Sequence, residues 1–283
     1  MNNLKTVALL AFMTTLLWLV AVSLFPDGGF VIGLVLAVGF NLVAYFFSDK
    51  LALAASRAQP VTESELPQVY AIVRRLALQK NMPEPRIYLI DSPQPNAFAT
   101  GRSPKKAAVA VTSGILQVLT VDELEGVLAH ELAHVSNRDI LISSIAAMIA
   151  AALTMLARMA FWFGGGGNNR ENPLGAIGVI LSLIVAPIAA MLIRLAISRT
   201  REFHADATGA ETTGRPLLLA SALEKIAAGT ARIPMNVNPA TAQLFIDNPM
   251  KAVRGGGLMR LLSTHPPTEE RIERLTRMAQ GIR

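Results

Sequence analysis

Residues 128–139 read LAHELAHVSNRD, and the rest of the chain is read outward from this stretch. His130, Glu131 and His134 stand in the pattern H-E-x-x-H. On an α-helix, positions i and i+4 share a face, so both imidazoles reach one metal ion while Glu131 projects beside it. Zinc suits such a site: it takes nitrogen ligands, is redox-inert, and in catalytic sites keeps three protein ligands and a water. The metal brings the pKa of that water towards ~7, and a neighbouring carboxylate then takes its proton. Chance produces H-E-x-x-H in roughly one chain of this size in several hundred, so the pattern carries weight. The flanks supply the helix the chemistry needs. Thr120, Val121, Asp122 and Glu123 spell a capping box, and Leu124, Val127, Leu128, Leu132 and Val135 keep helical spacing.

The composition is that of a membrane protein. Of the 283 residues, 52% are hydrophobic and only 16% charged. There is no cysteine, which removes disulfides, thiolate ligands and cysteine nucleophiles together. Four apolar runs, Leu4–Leu24, Phe30–Phe47, Ile140–Phe163 and Leu174–Ser198, each approach the ~20 residues that cross a bilayer as a helix. Pro26, Asp27, Gly28 and Gly29 turn the first pair into a hairpin, and a second run so close behind the first argues against a cleaved signal peptide. The net charge of +6 is read as a positive-inside bias rather than as nucleic-acid binding. Nearly all lysines and arginines follow the second and fourth runs, so those segments and both termini are expected in the cytoplasm. Arg158 and Arg194, inside the later runs, are read as snorkelling or as facing the soluble part.

Between the hairpins, Ser64–Lys80 reads as an amphipathic helix with Leu66, Val69, Ile72, Val73 and Leu76 on one face. Arg86–Ile90 and Ala107–Val111 read as strands. The intervening PNAFATG (95–101) is either a strand edge that offers its backbone to an extended peptide or an ordinary turn. After the fourth run, SRTREFHAD (198–206) brings in Glu202, His204 and Asp206. His134 lies six residues before the third run and Glu202 four residues after the fourth. A hairpin thus returns both to within roughly 10 Å of one membrane surface at ~1.5 Å per residue. Glu202 and Asp206 share a helix face; one carboxylate binds the metal and the other orients a ligating imidazole, and spacing does not rank them. The alternative motif H-E-x-x-H-x-x-G-x-x-H is excluded by Asn137 and Ile140. Further on, Pro216–Ala228 reads as a helix, Pro234–Pro249 as irregular, and Gly255–Gly257 as a break. His265 precedes two prolines and a helix running to about Met278, and is a candidate oxyanion donor. The layout expected is a membrane hairpin (1–48), a cytoplasmic catalytic part (49–139), a second hairpin (140–198) and a second catalytic part (199–283).

HELAH (130–134), NAFATG (96–101), REFHAD (201–206) and THPPTEERI (264–272) together resemble the HtpX family of bacterial membrane heat-shock proteases, related to the CAAX prenyl endopeptidases. The likeness runs along essentially the whole chain, including the four apolar runs. It implies a mainly α, multi-span membrane protein with a gluzincin-type α+β catalytic domain carrying a small sheet. It implies a zinc-dependent endopeptidase of the inner membrane, with one Zn2+ per chain and Glu131 as general base. Its substrates would be misfolded or damaged membrane proteins and unfolded polypeptides, in the setting of the lipid bilayer and with no nucleic acid. The resemblance makes Glu202 the third ligand and sets Asp206 behind the ligands. It places His265 and Arg271 near the active site, where they stabilise the transition state, and Asn96 at the border of the substrate cleft. Two other classes stand beside this reading. A non-catalytic, zinc-stabilised scaffold or chaperone requires a closed four-ligand site. A transporter built on Arg158 and Arg194 requires ionisable residues in the first two runs as well.

Overall fold

Local sequence accounts for most of the elements. Helix α1 (Gly29–Ala55) follows the Gly28 turn and is apolar on every side. Strand β1 (Gln59–Pro60) leads to helix α2 (Pro67–Gln79), which starts with proline at its first position, where no amide hydrogen is missed. The expected start at Ser64 falls three residues early because Glu65 folds back to accept from the Thr62 amide at 2.6 Å and makes a turn there. Strands β2 (Arg86–Ile90), β3 (Ala97–Thr100) and β4 (Ala108–Thr112) follow, then a short helix α3 (Ser113–Val118). Helix α4 (Val121–Ser136) carries the H-E-x-x-H motif and is opened by the capping box, with both reciprocal hydrogen bonds made between Thr120 and Glu123. Beyond the third and fourth runs come α5 (Arg199–Thr213), α6 (Pro216–Arg232), the four-residue α7 (Pro239–Ala242) and α8 (Thr268–Ala279).

This is a computed structural model, and it describes residues 7–8, 10–15, 18, 28–147, 149, 199–235, 237–250 and 266–282. The expectations on Arg158, Arg194, Gly255–Gly257 and His265 fall outside these residues, as do most of the first, third and fourth apolar runs.

The protein is mainly helical with one small mixed sheet, in the order β1-β2-β4-β3. β2 and β4 run parallel, and β1 and β3 lie antiparallel at the two edges. Both faces of the sheet are covered, and the side chains alternate accordingly. Ile87, Ala97, Ala99, Val109 and Val111 face a core built with α2, α4 and α6. Ile90, Phe98, Ala108 and Ala110 face a second cluster with Ala52 and Leu53 of α1 and Leu244 and Phe245. The region between 95 and 101 is therefore a strand, buried along its whole length.

Among the described residues one helix, Phe30–Ala55, is long and apolar enough to cross a bilayer, with mean hydropathy 2.3. The first run lies against it: Asn41 Nδ2 donates to Thr14 Oγ1 at 2.6 Å, and Trp18 meets Phe30 edge-on at 5.9 Å. The far end of α1 belongs to the catalytic fold. Asp49 accepts from Arg86 of β2 at 2.7 Å, and Ala52 and Leu53 are buried under the sheet.

Candidate active site

Helix α4 runs through the middle of the molecule, and His130 and Glu131 are almost completely buried on it. Helix α5 crosses it at very close range. A Cβ on Gly209 would lie 2.9 Å from the His130 backbone nitrogen, so only glycine permits this approach. Glu202 and Asp206 occupy the same face of α5, two turns and one turn before Gly209. The close crossing thus presents both carboxylates to the two histidines.

One ligand atom each from His130, His134 and Glu202 lies within 4.8 Å of the others. The Glu202 carboxylate is 3.4 Å from His134 Nε2 and 4.0 Å from His130 Nε2. The opposite ring nitrogens are held from behind. His130 Nδ1 donates to Asp206 at 2.9 Å, and His134 Nδ1 donates to Asp139 at 3.3 Å. Each imidazole is thereby fixed in the tautomer that frees Nε2, with its rim carboxylate raising its basicity. Two imidazole nitrogens and a carboxylate, converging and with one side open to a cavity, make a donor set that fits zinc.

Asp206 is itself anchored. Arg271, only 2% exposed, donates through Nε and Nη2 to its two oxygens at 2.8 and 2.7 Å, and through Nη1 to the Ile246 carbonyl at 3.0 Å. Burial alone would raise the Asp206 carboxyl, but the guanidinium and the His130 hydrogen bond outweigh it and bring it down to about 2. Burial pulls His130 down to about 4. It opposes charge on His134 too, yet Glu202 and Asp139 overcome it and lift this imidazole to about 9. Glu131 is pushed up to about 8, chiefly by burial, while the Ala99 amide of β3 donates to it. A cation in the cluster adds positive charge and lowers the pKa of His130, His134 and Glu131.

The cavity at the cluster measures about 30 Å³ and is lined by Glu131, Ala99 and the segment 243–246, among others. That segment lies along the outer edge of β3: the Ile246 amide donates to the Ala97 carbonyl at 2.9 Å, and Phe245 packs on Phe98 with ring centroids 4.9 Å apart. The edge expected to receive a peptide is thus partly occupied by the chain itself.

Of the residues singled out in the sequence, His130, Glu131, His134, Glu202 and Asp206 come together. Asn96 is fully buried away from the cavity, donating to the Asp247 carbonyl at 2.8 Å. Arg271 likewise does not line the cavity; its place is behind Asp206. His204 is exposed on the other side of α5. Asp139 was missed, although it stands in the opening stretch five residues after His134. Arg138 adopts a left-handed conformation (φ 60°), which turns the chain back so that Asp139 meets the ring. A carboxylate just past the end of a ligand helix is the signal that would have found it.

The model for peptidase family M48 matches residues 63–279. The chain is 50% identical to a protease HtpX homolog of Syntrophobacter fumaroxidans, over 98% of this chain and 99% of that protein. Its fold is similar to that of the crystal structure of S. mikatae Ste24p, with a TM-score of 0.52, 20% identity and 97% of this chain covered. This chain spans 64% of the length of that solved one.

Proposed function

Because the chain belongs to peptidase family M48 and is a metalloprotease, we propose that it is a zinc-dependent endopeptidase that cuts polypeptides at the His130–His134–Glu202 cluster. The observation that carries this reading is the cluster's construction: three converging donors, two of them locked through Nδ1, beside a buried glutamate that holds no ligand position.

A zinc ion bound there would polarise the attacking water and the peptide carbonyl. Glu131 takes the proton of that water on its carboxylate and passes it to the departing amine nitrogen. Burial makes this carboxylate a stronger base than a free glutamate, and the bound cation would bring its pKa back down so that the base form is present near neutrality. Asp206 and Asp139 hold the imidazoles in place, and Arg271 holds Asp206. His265 hydrogen-bonds the carbonyl oxygen as charge develops on it. A cavity of about 30 Å³ accommodates little more than a water, so the segment 243–246 must give way when a peptide enters.

The wider reading follows the sequence. The protein is a multi-pass protein of the bacterial inner membrane, with hairpins at 1–48 and 140–198. Its catalytic parts, 49–139 and 199–283, face the cytoplasm with both termini. Misfolded or damaged membrane proteins and unfolded polypeptides are its substrates. The apolar α1 and the name of the HtpX relative support the membrane setting.

The test compares detergent-purified wild type with Glu131→Gln, measuring bound zinc and casein cleavage in parallel. Both proteins should hold about one zinc, and the variant should lose on the order of 10²-fold or more of the cleavage rate. Full activity in Glu131→Gln would overturn the role of Glu131. Zinc in both proteins with cleavage by neither would favour a structural metal site.

A further inference from the structure

A second, larger cavity of about 730 Å³ is lined by residues of the first apolar run, of α1 and of the catalytic fold. Its lining includes Lys80, Arg102, Lys105 and Arg138, and no carboxylate among the described residues. Val7, Leu10 and Tyr45 form its apolar side. Its size lies within the roughly 300–1,000 Å³ typical of small-ligand pockets.

Two of the four cations have a local explanation. Lys80 and Arg138 stand just beyond the C-termini of α2 and α4, where positive charge complements the helix dipole. Arg102 and Lys105 do not stand at the C-terminus of an α-helix. Both come from the loop joining β3 to β4, and neither forms an ion pair among the described residues. The Arg102 guanidinium instead sits over the rings of Phe46 and Tyr45 on α1, at 4.8 and 5.9 Å. Those rings mark the level at which α1 changes surroundings. Towards its start, Val35, Leu36, Val38 and Leu42 are exposed; from Ser48 on, one face of the helix, with Ser48, Asp49, Ala52 and Leu53, is buried against the catalytic fold. Aromatic rings with adjacent cations at such a boundary are characteristic of the membrane–water interface.

We propose that this cavity binds the phosphate headgroup of an anionic phospholipid, with Arg102 and Lys105 pairing with the phosphate and the acyl chains running along the exposed face of α1. The proposal rests on the membrane reading above but not on the catalytic one. Arg102 and Lys105, with no carboxylate among the described lining residues, select an anion, and the apolar wall continuous with α1 selects one that carries hydrocarbon.

The full chain in detergent is titrated with dihexanoyl-phosphatidylglycerol, dihexanoyl-phosphatidylcholine and inorganic phosphate, with binding read by native mass spectrometry. Wild type should bind phosphatidylglycerol at least about tenfold more tightly than the other two. The double substitution Arg102→Gln, Lys105→Gln should lose on the order of tenfold or more of that affinity, as removal of two interfacial cations requires. Lys80→Gln, on a separate element, provides a second variant should the loop pair fail to fold, and should weaken binding in the same direction. Equal binding of the two lipids, or unchanged affinity in the folded variants, would overturn the proposal. Inorganic phosphate binding as tightly as phosphatidylglycerol would make this a simple anion site and overturn the lipid assignment. Glu131→Gln should bind lipid like wild type, so failure of the peptidase reading and failure of this one are read separately.

Discussion

At the scale of single residues, the site is governed by what stands behind each imidazole. Asp139 holds His134 and Asp206 holds His130. Asp139→Asn should keep the fold and weaken zinc binding by about 10–100-fold, measured by competition with a chelator. A variant with wild-type affinity would reduce the 3.3 Å contact to a bystander. Arg271 tests a different point. Arg271→Met leaves Asp206 buried without its partner, and losing one member of such a pair costs about 3–5 kcal/mol. Thermal unfolding in detergent should show a large drop in midpoint, with metal lost in parallel. The histidines, Glu131 and the two carboxylates of α5 were legible in the sequence because spacing on one helix fixes a face. The partners of Arg271 and Asn96 were not, since they lie 65 and 151 positions away along the chain.

At the scale of elements, two features decide whether α4 stands where it must. The first is its N-terminus. Glu123 closes the capping box and also accepts from Ser221 and Lys225 of α6, at 2.7 and 2.8 Å. Burial acts to raise its carboxyl, but Lys225, the Thr120 amide and Ser221 outweigh that and lower it from the usual 4.5 to about 2. A depressed acid stabilises the fold above its unfolded pKa and stops doing so as pH falls through the folded value. Glu123→Gln should therefore lower stability by about 1–2 kcal/mol near neutrality, with the difference shrinking between about pH 4.5 and 2. Unfolding midpoints of both proteins across that range check it. The second feature is the crossing of α4 and α5. Gly209→Ala places a Cβ 2.9 Å from the His130 nitrogen, forcing the helices apart at a cost of about 1–3 kcal/mol. Zinc content should fall with it. Gly39→Ala on α1, where a Cβ meets nothing within 4 Å, should leave zinc content unchanged.

At the scale of the whole molecule, α1 serves two surroundings. Its first part is apolar and exposed, and its last part forms one wall of the sheet cluster with Phe98, Ala108, Ala110 and Phe245. The boundary between hairpin and catalytic part therefore does not coincide with the end of the helix. A chain that begins at residue 49 keeps Asp49, Ala52 and Leu53 and should retain bound zinc. One that begins at residue 61 uncovers that cluster and should lose zinc and aggregate, as size-exclusion chromatography in detergent would reveal. Equal behaviour of the two truncations would show that the end of α1 adds nothing to the catalytic fold.

The sequence by itself determined the H-E-x-x-H helix, its capping box, the two central strands to within one residue, and the starts of α1 and α6, whose ends it placed eight and four residues early. All of these follow from local periodicity and capping, which need no distant partner. It left Pro95–Gly101 undecided between strand and turn, because a strand buried on both faces lacks the alternation that would identify it. It contained no signal for β1, whose two residues are too few to show a period. Which carboxylate of α5 meets the ring nitrogens from the front and which from behind was settled by the Gly209 crossing, as was the pairing of Arg271 with Asp206. The segment 243–246 on the edge of β3 belongs to the same class. These contacts join parts of the chain far apart in sequence, and only the packing of the helices against one sheet brings them within bonding distance.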